Sequence, residues 1–194
     1  MQPDSLGFIF LQALLINNFV LAQFLGLCPF FGVSQKISTA APMGLAVTFV
    51  MFVASVCAFA INTLLVNFDI EYLRLIAYIA VIASAVQLVE MTIKKLSPAL
   101  FRLLGIYLPL ITTNCAILGM ALSQTTNEYS FSQSIVFSLG AGAGFTLALV
   151  LMASLREKLR LAAVPHFATT AAIAFMLAGL LSLVFRGFAG LGGA

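Results

Sequence analysis

The chain has 194 residues, 62% hydrophobic and 8% charged, with nine Lys or Arg against six Asp or Glu. Soluble domains carry about 25% charged residues, so there is too little polar surface here to cover an ordinary soluble core. A net charge of +3, scattered along the chain, also excludes a nucleic-acid-binding surface. Three Cys and one His leave no disulfide framework or zinc ribbon. The composition predicts an all-α, single-domain, polytopic integral membrane protein spanning residues 1–194, because a helix satisfies its own backbone groups in lipid.

A membrane-crossing helix needs about 20 mostly apolar residues, and six stretches qualify in chain order. They are Ser5–Leu27, Met43–Val66, Ile70–Ile93, Ala99–Leu122, Ser132–Leu155 and Val164–Phe185. No Lys or Arg precedes the first stretch, so it reads as a retained span rather than a secretory signal. The separators hold nearly all the charge. With the N-terminus outside, Lys36, Lys94, Lys95, Arg102, Arg156, Lys158 and Arg160 fall on the inner side, against Arg74 and Arg186 outside. Lys/Arg bias sets orientation, and an even number of spans places both termini on the outer side.

The first and fourth segments are unlike the others. Asn17 and Asn18 stand in the middle of segment one, which runs into Gly26-Leu27-Cys28-Pro29. Segment four carries Pro109, then Thr112-Thr113-Asn114-Cys115. Proline removes a helical hydrogen bond, and Asn and Thr side chains can pair with the backbone groups so freed. In a bilayer such interruptions survive only where protein buries them or they line a cavity. Asn18 and Asn114 lie about half a chain apart, with three spans before segment four. That pattern predicts two inverted three-helix halves, approximately 5–93 and 99–185, with segments one and four interrupted near a functional midplane. Interhelical hydrogen bonding explains buried Asn and Thr equally well.

Of the three cysteines, Cys28 and Cys115 flank the expected breaks, whereas Cys57 lies in a featureless apolar run and reads as a small core hydrophobe. A tetrahedral zinc site or iron–sulfur cluster takes four protein ligands, so two cysteines make half a set and a second chain must supply the rest. Depth constrains the pairing. Counted along a straight helix, Cys115 lies roughly 18 Å from the inner entry and Cys28 roughly 33 Å from the outer one, near the inner face. The two can meet only if segment one is broken or re-entrant.

The runs Asn17-Asn18-Phe19-Val20-Leu21, Phe24-Leu25-Gly26-Leu27-Cys28-Pro29-Phe30 and Leu108-Pro109-Leu110-Ile111-Thr112-Thr113-Asn114-Cys115-Ala116 resemble the RnfA family, the A component of the Rnf complex. The likeness extends through Leu103-Leu104-Gly105 and Arg156-Glu157 to Gly187-Phe188, essentially the whole chain. The E component of the sodium-translocating NADH:quinone oxidoreductase represents a related family. The resemblance implies a subunit, not catalytic alone, of an ion-translocating ferredoxin:NAD+ oxidoreductase in the bacterial inner membrane. It implies pairing with RnfE, a homologous component of opposite topology, in company with the Rnf components B, C, D and G. It further implies a [2Fe-2S] cluster shared between the pair, with Cys28 and Cys115 as this chain's ligands. Electron relay through that cluster would be coupled to Na+ or H+ transport.

Three features remain open. Glu90 lies four residues before Lys94 and is either an interfacial i,i+4 ion pair or a carboxylate on the ion path. His166, in Val164-Pro165-His166-Phe167, reads as an interfacial loop residue. Gly140-Ala141-Gly142-Ala143-Gly144 has the spacing of close helix packing and lacks the Lys-Ser/Thr of a phosphate loop. Without the family resemblance, a secondary transporter for a small solute or ion, or a non-redox structural membrane protein, accounts for the same residues.

Overall fold

The computed structural model describes residues 5–68, 70–96, 108–161 and 171–188. All regular structure among them is helical. In chain order the elements are α1 (Leu6–Leu11), continued by a π-helical turn (Gln12–Ile16); α2 (Leu27–Val33); and α3 (Ile37–Asn67). A 3-10 turn (Glu71–Leu73) leads into α4 (Arg74–Leu96), followed by α5 (Leu108–Thr112), α6 (Cys115–Thr126), α7 (Phe131–Leu161) and α8 (Ala171–Arg186). Ile37–Asn67, Arg74–Thr92 and Phe131–Leu161 are long and apolar enough to cross a membrane. His166, Arg102 and the Leu103-Leu104-Gly105 run lie outside the described residues.

Helices α3 and α7 form the centre of the bundle. Each has 31 residues, roughly 46 Å at 1.5 Å per residue, which exceeds the hydrocarbon thickness of about 30 Å. Neither carries an obvious apolar stripe, since both are apolar all round, and such helices are held by close packing of small residues. A Cβ on Gly44 would meet the Thr146 side chain at 2.5 Å, and one on Gly142 would meet Thr48 at 2.7 Å. Thr48 Oγ1 donates to Gly44 O and Thr146 Oγ1 to Gly142 O. The two hydroxyl oxygens lie 3.2 Å apart. Each helix thus offers the other a Gly-x-x-x-Thr face, and the contacts are reciprocal. Gly140 and Gly144 give α1 and its π-helical continuation a close approach, since a Cβ would strike Phe10 O at 2.9 Å and Leu14 O at 2.8 Å. The glycine run is packing surface on two sides at once.

Helix α4 buries Tyr78, Ile82 and Val86 and exposes Ile76, Ile79, Leu88 and Met91. Helix α8 buries Ala174, Ala178, Ser182 and Phe185 and exposes Phe175, Met176, Leu180, Leu183 and Val184. Those buried positions recur every three or four residues, one helical face, and the opposite face is as apolar as the core. A soluble protein would place charge there.

Between Ile16 and Leu27 the chain is not helical, yet Asn18, Phe19, Val20 and Leu21 are buried. Buried backbone groups need partners, and the Asn18 side chain supplies two of them. Its Oδ1 accepts from Val20 N and Leu21 N at 3.0 and 3.3 Å. Its Nδ2 donates to Leu14 O and, across 126 residues, to Gly144 O at 2.8 Å. Ser182 Oγ of α8 donates to Leu21 O at 2.6 Å, and Asn17 N closes the π turn on Gln12 O. A π turn widens the helix by one residue per turn and often marks a functional region. Here it is where regular structure ends.

Candidate functional site

Two helices begin at one place on the molecular surface, each with a cysteine in its first turn. Cys115 is the first residue of α6, and its N-cap Asn114 accepts from Ala116 N through Oδ1 at 3.1 Å. Cys28 is the second residue of α2, whose N-cap is Gly26 with φ +77°. Gly26 N donates to Cys115 Sγ at 2.9 Å, joining segments 89 residues apart. Cys28 follows two residues later, so its Cα lies within about 7 Å of the Gly26 Cα. Both thiols are exposed in the isolated chain, whereas Cys57 is half-buried in α3. Both cysteines thus stand in the first turns of their helices, and one of the two sulfurs already accepts a directed backbone N–H.

Gly26 is required twice over. Its backbone occupies the left-handed region, and a Cβ would stand 2.9 Å from both Asn114 Oδ1 and the Phe145 ring. Phe24, with φ +57°, shares the left-handed turn that redirects the chain into α2. Arg156, from α7, holds the other end of α2: its Nη1 donates to Phe31 O at 3.1 Å and to the buried Ser34 Oγ at 2.9 Å. Replacing Arg156 by Ala leaves both acceptors unpaired, at a cost of about 2 kcal/mol. The expected result is a lower thermal midpoint of the purified chain and faster thiol labelling at Cys28, with labelling at Cys115 less affected.

The other expected residues divide. Asn18 and Asn114 are both buried, Asn18 against Gly144 of α7 and Asn114 as the N-cap of α6, while Asn17 is exposed. Pro29 does not break a helix. It is the third residue of α2, inside the first turn, where a backbone N–H has no intrahelical acceptor. The irregularity precedes it, because Asn18 and the left-handed residues turn the chain there. Pro109 lies within α5 and its carbonyl accepts from Thr113 N and Thr113 Oγ1. Thr113 and Asn114 form the short gap before α6. Glu90 is half-buried on α4, on neither cysteine helix. Gly26 and Arg156 were not singled out from sequence. A Gly two residues before Cys-Pro at a helix start was the available signal for the first; no local signal marks the second.

Two thiolates fit half of a four-sulfur metal site, and among the described residues no group of three or more His, Cys, Asp or Glu could hold a metal within this chain. The exposure of both thiols, with a backbone N–H already on one sulfur, suits a site completed from outside.

A family model described as "Rnf-Nqr subunit, membrane protein" matches residues 6–192. A protein of Syntrophotalea carbinolica is 56% identical over 188 residues, covering 96% of this chain and 97% of that one. Proteins of Serratia proteamaculans and Citrobacter koseri are 55% and 54% identical, each match covering 94% of this chain and 95% of the relative. All three relatives are named as the A component of an ion-translocating oxidoreductase complex.

Proposed function

The chain belongs to the Rnf-Nqr family of membrane subunits, and from that premise we propose that it is a membrane component of an ion-translocating ferredoxin:NAD+ oxidoreductase. It is not catalytic alone. Cys28 and Cys115 would hold one side of a [2Fe-2S] cluster, whose other two ligands come from the homologous RnfE. The Rnf components B, C, D and G complete the complex in the bacterial inner membrane. Bound there, the cluster would supply a one-electron carrier in a low-dielectric layer, and its relay is coupled to Na+ or H+ transport.

One observation carries this reading: the hydrogen bond from Gly26 N to Cys115 Sγ, which brings together two exposed cysteines from segments that a straight helical count keeps apart. This chain's residues hold that surface in shape. Asn18 pairs two backbone N–H groups of the non-helical segment and ties it to α7, Asn114 caps α6, and Arg156 anchors α2. Six spans in two inverted halves, with both termini outside, are part of the same proposal. The reciprocal contacts Gly44–Thr146 and Thr48–Gly142 support a twofold relation between the halves, as isologous contacts do between protomers.

The test is the EPR and absorption spectrum of the purified complex, reduced and oxidised. A rhombic reduced [2Fe-2S] signal assigned to this chain and RnfE is the expected result. Two freely alkylated thiols at Cys28 and Cys115 in the intact, active complex would overturn the proposal.

A further inference from the structure

Polar groups unconnected with the cysteines gather at the far end of α6. A cavity of about 550 Å3 lies between the C-terminal parts of α3 and α6, the start of α4 and the turn into α7, with Phe59, Asn62, Arg74, Thr126 and Glu128 in its wall. Small-molecule sites occupy roughly 300–1,000 Å3, and this one falls among them. Part of the surrounding polarity is already satisfied. Thr125 Oγ1 donates to Ala121 O at 3.0 Å and takes the Tyr78 hydroxyl proton across 2.7 Å. Gln124 closes on Ser55 through both amide atoms.

What is left has both signs. Arg74 has an interaction within the chain, but a guanidinium offers five N–H donors and one bidentate partner engages two of them. Facing an occupant with the opposite polarity are three acceptors. An ionised Glu128 can only accept. Thr126 Oγ1 gives its proton to Leu122 O at 3.0 Å and keeps its lone pairs. Asn62 Oδ1 is buried and accepts no hydrogen bond. The backbone adds to the negative side. Glu128 N bonds to Thr125 O and Tyr129 N to Gln124 O, a Schellman closure with Glu128 at the left-handed C′ position, φ +51°. That position suits glycine; here it carries a carboxylate to the negative end of the α6 dipole, where a positive group is favoured.

The level of the cavity in the bilayer names the class of occupant. Helix α3 is 31 residues long, roughly 46 Å, and outruns the hydrocarbon layer of about 30 Å. Arginine and glutamate are costly inside that layer, so this end of the bundle stands among the lipid headgroups. Close in sequence to the lining residues, Leu64, Phe68, Tyr72 and Ile76 are exposed, an apolar margin for acyl chains. We infer that the cavity binds the headgroup of a phospholipid with a primary ammonium, its phosphate on Arg74 and its ammonium on Glu128, Thr126 and Asn62. An ammonium has three N–H donors, and three acceptors meet them. A bare cation is repelled by Arg74 and an anionic headgroup by Glu128. A choline headgroup has no N–H to give. The inference rests on the chain lying in a membrane and is independent of the cluster.

The full-length chain in mild detergent is mixed with equimolar phosphatidylethanolamine, phosphatidylcholine and phosphatidylglycerol of identical acyl chains, and retained lipid is counted by native mass spectrometry. Phosphatidylethanolamine should be preferred about tenfold over the other two. Glu128→Gln should erase that preference, and Thr126→Val should reduce it by less. Both residues are exposed, so these variants keep the parental thermal midpoint. Arg74→Gln should weaken retention of all three lipids, because each carries a phosphate. Equal retention of the three by the parent chain, a preference for phosphatidylglycerol, or an undiminished preference in Glu128→Gln overturns the inference. So does an Arg74→Gln chain of parental midpoint that holds all three as before. Free phosphoethanolamine, added in competition, should displace little of the lipid; if it competes as well as the lipid at equal concentration, the site takes a soluble ligand and the lipid assignment is wrong.

Discussion

If Cys28 and Cys115 hold the proposed cluster, Cys115→Ser should abolish the reduced [2Fe-2S] signal of the complex and lower electron transfer between ferredoxin and NAD+ to background, and Cys28→Ser should do the same. A serine hydroxyl does not replace a thiolate as a soft ligand to iron. Both cysteines are exposed, and exposed substitutions usually alter stability by within about 0.5 kcal/mol. The variants therefore assemble with near-normal thermal midpoints while losing the signal. Cys57→Ser is the internal comparison: a half-buried residue on α3, away from both helix starts, whose replacement leaves spectrum and electron flow largely intact. Measuring the signal and the thermal midpoint on the same preparations separates lost ligation from lost folding. A full signal in Cys28→Ser would remove this cysteine from the ligand set.

The second large effect falls at Gly26. Gly26→Val places a side chain in the left-handed region, at a cost of about 1–2 kcal/mol. Its Cβ stands 2.9 Å from Asn114 Oδ1 and from Phe145, and 3.1 Å from Ala116 Cβ, and overpacking of this kind costs about 1–3 kcal/mol more. Relief of the clash means separating the start of α2 from the start of α6, which breaks the bond from Gly26 N to Cys115 Sγ. Gly26→Val should assemble poorly and without cluster. Gly26→Ala brings the same Cβ without further atoms, so it should assemble less well than the parent and show a shifted EPR line shape and midpoint potential in the fraction that does, because the hydrogen bond to sulfur changes. Gly7, with nothing within 4 Å of its Cβ position, is the control, and Gly7→Ala should match the parent. An unaltered line shape and potential in Gly26→Ala would show that this N–H does not tune the site.

Much of the architecture was legible because lipid imposes a simple rule on composition. Runs of apolar residues bounded by Lys, Arg, Asn and Pro located α3, α4 and α7 to within a few residues at most boundaries. The same rule hid the packing. In water an apolar stripe tells a helix which face to bury; a helix that is apolar all round carries no such mark. Segments two and five therefore looked featureless, although Gly44, Thr48, Gly142 and Thr146 bring them into close reciprocal contact. Asn17 and Asn18 were equivalent on paper. Only the approach of Gly144, 126 residues away, decides that Asn18 turns inward and satisfies the non-helical backbone.

The sequence by itself pointed to an all-helical membrane protein, poor in charge, with Cys28 and Cys115 beside irregular backbone as candidates for its chemistry. Those conclusions rest on local properties: apolar run length, the missing N–H of proline, and thiol chemistry. The tertiary structure decided that the irregularity precedes Pro29, that Gly26 N reaches Cys115 Sγ, and that Arg156 pins the helix bearing Cys28. Each is a contact between segments about 90 or more residues apart, held by sterics and by the need of buried polar groups for partners. No spacing along the chain encodes such a meeting, because it depends on where the remaining helices leave room.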